Sequence, residues 1–143
     1  MWSQHPETGE GLGEAERRRL LELVREALQV AARDRRRWLP SEETLPLLQE
    51  PRACFVSLHK SGALRGCVGQ VVARLPLYQA VADAAFSAAL EDPRFPPVTL
   101  EEVPAISAEV SVLSPFRPIR PEEVEIGRHG LLLTRDRDRK SVV

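Results

Sequence analysis

A chain of 143 residues, 43% hydrophobic and 29% charged, is sized for one domain with a real core, and its net charge of -1 excludes a global field that would recruit nucleic acid or anionic membrane. Two cysteines thirteen residues apart, with no CxxC pair and three scattered histidines, exclude a disulfide scaffold or a cysteine-built zinc site and fit a reducing cytoplasm. No apolar run approaches membrane-spanning length and Met1 to Gly13 is polar rather than signal-like, so a soluble, unsecreted cytoplasmic protein is expected.

Residues 1 to 13 lack periodicity and read as a disordered leader. From Glu14 to about Arg33, Leu20, Val24, Ala27, Leu28 and Ala31 recur at helical spacing, with Arg17, Arg18, Glu22, Arg25 and Glu26 on the other side, which predicts an amphipathic helix. The basic run Arg33 to Arg37 is read as its solvated end, favourable to the helix dipole, in preference to a phosphate site. Pro40 to Pro51 is a linker with a short turn at Leu45 to Leu48.

Cys54 to His59 and Leu64 to Gln70 then predict a hairpin. A three-residue loop, Lys60-Ser61-Gly62 with Gly62 left-handed, pairs Leu58 with Leu64 and Ser57 with Arg65. That register sends Cys54, Val56, Leu58, Leu64, Gly66 and Val68 to one face and Phe55, Ser57, His59, Arg65 and Cys67 to the other, with Phe55 out of pattern. Pro76 to Leu90 is apolar almost all round, a helix buried against a sheet, with Pro76 in its first turn and Asp92-Pro93 stopping it. Thr99 caps a short turn at Leu100 to Val103, and Ala105 to Leu113 alternates as a strand. Val124 to Ile126, Gly127 to Gly130 and Leu131 to Thr134 read as strand, turn, strand. Helices mixed irregularly with hairpins give an α+β domain with a mainly antiparallel sheet.

The segment least explained by folding needs is Leu64-Arg65-Gly66-Cys67-Val68-Gly69. Residues two apart on a strand share a face, so Arg65 and Cys67 point together, and a nearby cation favours the thiolate. Cys67 is thus either an activated nucleophile or a small residue packed at a site wall, with Arg65 paired to an acid such as Glu109. Gly66 and Gly69 admit close approach of a backbone or a ligand. His59, across the hairpin, is a candidate general base or a solvent-facing histidine. Arg94, on the rigid Asp92 to Pro97 turn, is a candidate anion contact, and Glu109 and Ser111 share one strand face that lines the same cleft or is merely solvated. No phosphate loop, HExxH or paired-carboxylate spacing is present.

The same hexapeptide, followed by Glu91-Asp92-Pro93-Arg94-Phe95-Pro96-Pro97 and Glu109-Val110-Ser111-Val112-Leu113-Ser114-Pro115, resembles the AMMECR-type domain family, whose hallmark is LRGC-aliphatic-G. The resemblance runs from about Glu14 to Arg135, with Val68 where isoleucine is more usual. It implies an α+β architecture in which a smaller subdomain is set against a larger one across a cleft. It also implies a cytoplasmic component A of the AmmeMemoRadiSam system, partnered by a Memo-like protein of the dioxygenase family and a radical SAM protein, whereas eukaryotic relatives look like regulators or adaptors. No reaction, cofactor or metal comes with the resemblance. Two functions follow: a cleft enzyme or ligand-binding subunit using Arg65, Cys67, Arg94 and Glu109 in modification of a small molecule or a nucleic-acid base, or a non-catalytic partner-binding domain. Direct RNA binding is disfavoured by the charge balance and by 5% aromatic content.

Family members continue beyond Arg135, and Asp138-Arg139-Lys140-Ser141-Val142-Val143 has a codon reading, GAT CGG AAG AGC GTC GTG, that matches a widely used sequencing adapter. Residues 14–137 are therefore expected to be a partial domain and 138–143 a non-native tail.

Overall fold

The computed structural model describes residues 12–113 throughout and the backbone of 131–135 and 138–142. Of the expected leader, residues 1–11 lie outside the described residues; Leu12 packs half-buried on the core, and the Gly13 N–H donates to Glu16 Oε1 at 2.8 Å ahead of the first helix. The strand expected at Val124 to Ile126 and the Gly127 to Gly130 connection also lie outside them.

The first helix, α1 (Glu14–Asp34), buries Leu20, Leu23, Val24, Ala27, Leu28, Val30, Ala31 and Ala32, the stripe its 3.6-residue periodicity defines. It stops at Arg35, whose left-handed φ of 54° lets its N–H reach back to Ala31 O. The basic run here is more than a solvated end. Arg35 Nη1 donates to Val98 O at 3.1 Å, and Arg37 pairs with Asp83 and Glu91 while stacking over Phe86, so the run ties the end of α1 to the next helix.

Two strands, β1 (Cys54–Lys60) and β2 (Ala63–Gly69), form the hairpin; α2 (Leu77–Leu90) and β3 (Ile106–Val112) follow. The antiparallel sheet has the order β2-β1-β3, which makes β2 an edge among the described residues. Both helices lie on one face: α2 crosses β1 and β2, and α1 packs on α2 and β3. Val56 and Leu58 from the sheet, Leu23 and Leu28 from α1 and Leu77 and Val81 from α2 are fully buried between the layers. Each such side chain contributes about 1.5–3 kcal/mol relative to exposure. The opposite face, carrying Phe55, Ser57 and His59, is only half covered. Leu131–Arg135 and Asp138–Val142, β4 and β5, pair antiparallel with each other as a separate two-stranded ribbon. No helix among the described residues is long and apolar enough to cross a membrane.

The hairpin corrects the expected register. Its loop is two residues, Ser61 (φ 52°) and Gly62 (φ 80°), both left-handed, and Lys60 lies opposite Ala63. Leu58 pairs with Gly66 and His59 with Leu64, so Arg65 is the extra residue of a β-bulge. Leu64, expected in the core opposite Leu58, is instead exposed opposite His59. The bulge restores the alternation that a two-residue loop would otherwise break, and Cys67, expected opposite Phe55, falls opposite Ser57 on the face expected for it. Phe55 finds its place as well, because its ring lies against the backbone of Gly69, where a Cβ would come within 2.6 Å of Phe55 Cγ.

Candidate functional site

The bulge re-aims Arg65. Its guanidinium makes a two-point contact with Glu102, Nε to Oε1 at 2.9 Å and Nη2 to Oε2 at 3.1 Å, and donates to Pro96 O at 2.8 Å and Pro97 O at 3.3 Å. Only 12% of the side chain is exposed. Glu102 also accepts from Lys60 Nζ and from the Thr99 N–H and hydroxyl at the turn it closes. Arg65 first, and the Thr99 N–H next, hold the Glu102 carboxyl well below the usual carboxylate range. The acid that meets Arg65 is thus Glu102 and not Glu109, and none of the guanidinium's hydrogen bonds goes to Cys67.

Asp92 does more than end α2. Its side chain is 3% exposed and meets β2 at Cys67, on the side away from β1. Oδ2 accepts the Cys67 N–H at 3.0 Å, while Arg94, held by Asp92 at 2.7 Å (Nη2 to Oδ2) and 3.0 Å (Nε to Oδ1), extends Nη2 to Cys67 O at 3.4 Å. The acid and the base thereby satisfy the edge N–H and C=O that a fourth strand would otherwise take. Arg94 first, and then the backbone N–H groups of Cys67 and Arg94, keep the Asp92 carboxyl far below its ordinary value. Arg94 remains 57% exposed, but its charge is answered by Asp92.

Both hallmark glycines are filled by protein. A Cβ on Gly66 would stand 2.2 Å from Ala88 O of α2, and one on Gly69 2.2 Å from Cys54 O. The alanine-rich face of α2, with Ala84, Ala85 and Ala88 buried, is what brings that helix so close to the strand.

A polar row remains on the open face. Cys67, partly exposed, has Sγ 3.2 Å from Ser57 Oγ; Ser57 lies opposite Glu109 on β3; and His59 Nδ1 stands 3.6 Å from Glu109 Oε1, an ion pair when the imidazole is protonated. His59 therefore turns to the β3 side of the sheet, toward Glu109. Arg94 is a cation close to Cys67, with Nη2 at 3.4 Å from its carbonyl oxygen. Chemically the row offers a thiol with a hydroxyl neighbour and a carboxylate–imidazole pair one register step away. Among the described residues no three His, Cys, Asp or Glu side chains form a metal-binding group.

Sequence reasoning missed Ser57, Glu102 and the capping role of Asp92. Ser57 carried a signal, since it shared Cys67's face in the expected register. Glu102 carried one too: Thr99-x-x-Glu102 is a capping-box spacing.

Residues 21–143 match the sequence model of the AMMECR1 family. A Thermococcus gammatolerans protein is 42% identical over 125 residues, covering 80% of this chain and 61% of that protein, and protein MJ0810 of Methanocaldococcus jannaschii is 45% identical over 96 residues, 61% of this chain and 48% of that one. The crystal structure of the uncharacterized protein PH0010 from Pyrococcus horikoshii is 37% identical and superposes with a TM-score of 0.70, covering 79% of this chain and 61% of that chain. The chain thus spans about three fifths of the length of the Thermococcus gammatolerans and Pyrococcus horikoshii proteins.

Proposed function

The chain belongs to the AMMECR1 family, and on that footing we propose that it acts as the cytoplasmic component A of an AmmeMemoRadiSam system, a cleft-bearing subunit in modification of a small molecule or a nucleic-acid base. Its contact surface is the open sheet face bearing Ser57, Cys67, His59 and Glu109, and its partners are a Memo-like protein of the dioxygenase family and a radical SAM protein.

One observation carries this reading. Four hallmark-region residues, Arg65, Arg94, Gly66 and Gly69, are engaged by protein groups, and the structure they build holds the partly exposed Cys67 beside Ser57 on the face the helices leave open. The hallmark is a brace, and the face is what it presents. Both cysteines are free, in keeping with a reducing compartment.

The adaptor reading draws on a separate observation, that both arginine charges are answered internally, which leaves them little to offer a ligand. Co-purification of the complete gene product with the Memo-like and radical SAM proteins of the same genome tests the proposal, followed by mass spectrometry of retained small molecules. Glu109→Arg is expected to weaken the complex at least about tenfold. A complex that retains a small molecule, lost in Cys67→Ser at unchanged protein affinity, supports a ligand-handling subunit; a complex without one supports the adaptor. No complex with either protein would sink the proposal.

A further inference from the structure

Between the end of β2 and the flank of α2 lies a cavity of about 60 Å³, whose lining includes Arg52, Cys54, Gln70, Arg74 and Asp83. A water needs about 10–15 Å³ on this measure, so the space takes a group of several heavy atoms. Arg52 is only 7% exposed. Its Nε and Nη2 both donate to Leu113 O, at 3.2 and 3.0 Å, which leaves Nη1 without a partner and the guanidinium without a carboxylate among the described residues. Arg74, exposed at the rim, likewise has no ion pair among them.

Burying a guanidinium without a counter-charge is costly, and proteins keep such groups where an anion completes them. The carboxylate in this wall, Asp83, is already engaged by Arg37. The Cys54 thiol adds no competing negative charge: burial first, and the nearby Asp83 charge second, push it up to about 12. Two guanidinium groups with no carboxylate partner among the described residues therefore line a small space with one acid already paired.

We propose that this cavity binds a small oxyanion, a carboxylate or phosphate group, gripped by Arg52 Nη1 from within and by Arg74 from the rim. Gln70, at the same rim, offers amide N–H donors. The anion contact that the sequence suggested at Arg94 is thus placed instead at two arginines that no acid among the described residues pairs. Cys54 and Val56 point to the helices whereas Ser57 and Cys67 point away from them, so this site is separate from the open sheet face, and either can fail without the other.

The test is calorimetric titration and thermal melting of the full chain with sodium phosphate and with sodium acetate, at ionic strength matched with chloride. At least one anion is expected to give saturable binding heat and a saturable rise in melting temperature. Arg74→Ala, at an exposed position, should melt as wild type in chloride and bind at least about tenfold more weakly. Arg52→Gln should abolish binding; if that variant does not fold, Arg74→Ala decides alone. Response to phosphate only identifies a phosphorylated ligand, and response to acetate only a carboxylate. No saturable response to either anion, or unchanged affinity in Arg74→Ala, overturns the assignment.

Discussion

A methyl group on Gly66 has nowhere to go, because the atom it meets, Ala88 O, is helix backbone and not the tip of a flexible side chain. Gly66→Ala must push β2 away from α2 and is expected to cost about 3 kcal/mol, measured by urea unfolding. The two thiols should separate as sharply. Cys54 is buried and its thiol is held up to about 12, whereas Cys67 is partly exposed beside Ser57. Iodoacetamide is therefore expected to modify Cys67 well before Cys54 in the folded protein, and equal labelling would remove any case for a reactive Cys67. The Cys54 shift also sets a pH dependence. Its folded value lies above the ordinary thiol value of 9.0, so the unfolded chain loses that proton first, and stability falls as pH rises from about 9 to 12. Cys54→Ala should flatten the fall in melting temperature across that range.

At the scale of elements, the hairpin depends on a turn with two positive φ values and on the bulge behind it. Gly62 suits its position, and a Cβ there would meet nothing, so Gly62→Ala carries only the backbone penalty of about 1 kcal/mol. Ser61 suits its position less well; Ser61→Asn is expected to stabilise by about 0.5 kcal/mol, because asparagine tolerates the left-handed region. Thermal melts of the two variants should move in opposite directions. The edge of β2 depends on acids: Asp92 and Glu102 both titrate below their ordinary range in the folded state. Their contribution is therefore intact above the unfolded carboxylate values near about 4 and is lost as pH falls below them. Asp92→Asn should reduce the drop in melting temperature between pH 5 and pH 2, and an unchanged drop would show that this carboxylate does not hold the edge.

At the scale of the molecule, one apolar layer joins α1, α2 and the three-stranded sheet, while β4 and β5 pair with each other outside that sheet. We expect deletion of Asp138 to Val143 to change the unfolding free energy of the helix-and-sheet body by less than about 0.5 kcal/mol, since changes away from packed features are usually that small. A loss above about 1 kcal/mol would show that the segment belongs to the fold and would count against an adapter-derived tail.

The periodicities by themselves determined the α+β class, both helices, the strands at Cys54, Leu64 and Ile106, and the face shared by Ser57 and Cys67, because burial on one side imposes a repeat of 3.6 or 2 on neighbouring residues. What they could not contain is the partner of each charge. Arg65 meets Glu102 thirty-seven positions away because a bulge turns it there, and Arg94 folds back on Asp92 because β2 is an edge. Arg52, unremarkable in the chain, ends buried without a carboxylate among the described residues. Hydrophobic patterning is local and is written along the chain. Charge pairing at a few ångströms is decided by which distant segments the core brings together, so only the tertiary structure showed that Arg65 and Arg94 are spent on Glu102 and Asp92.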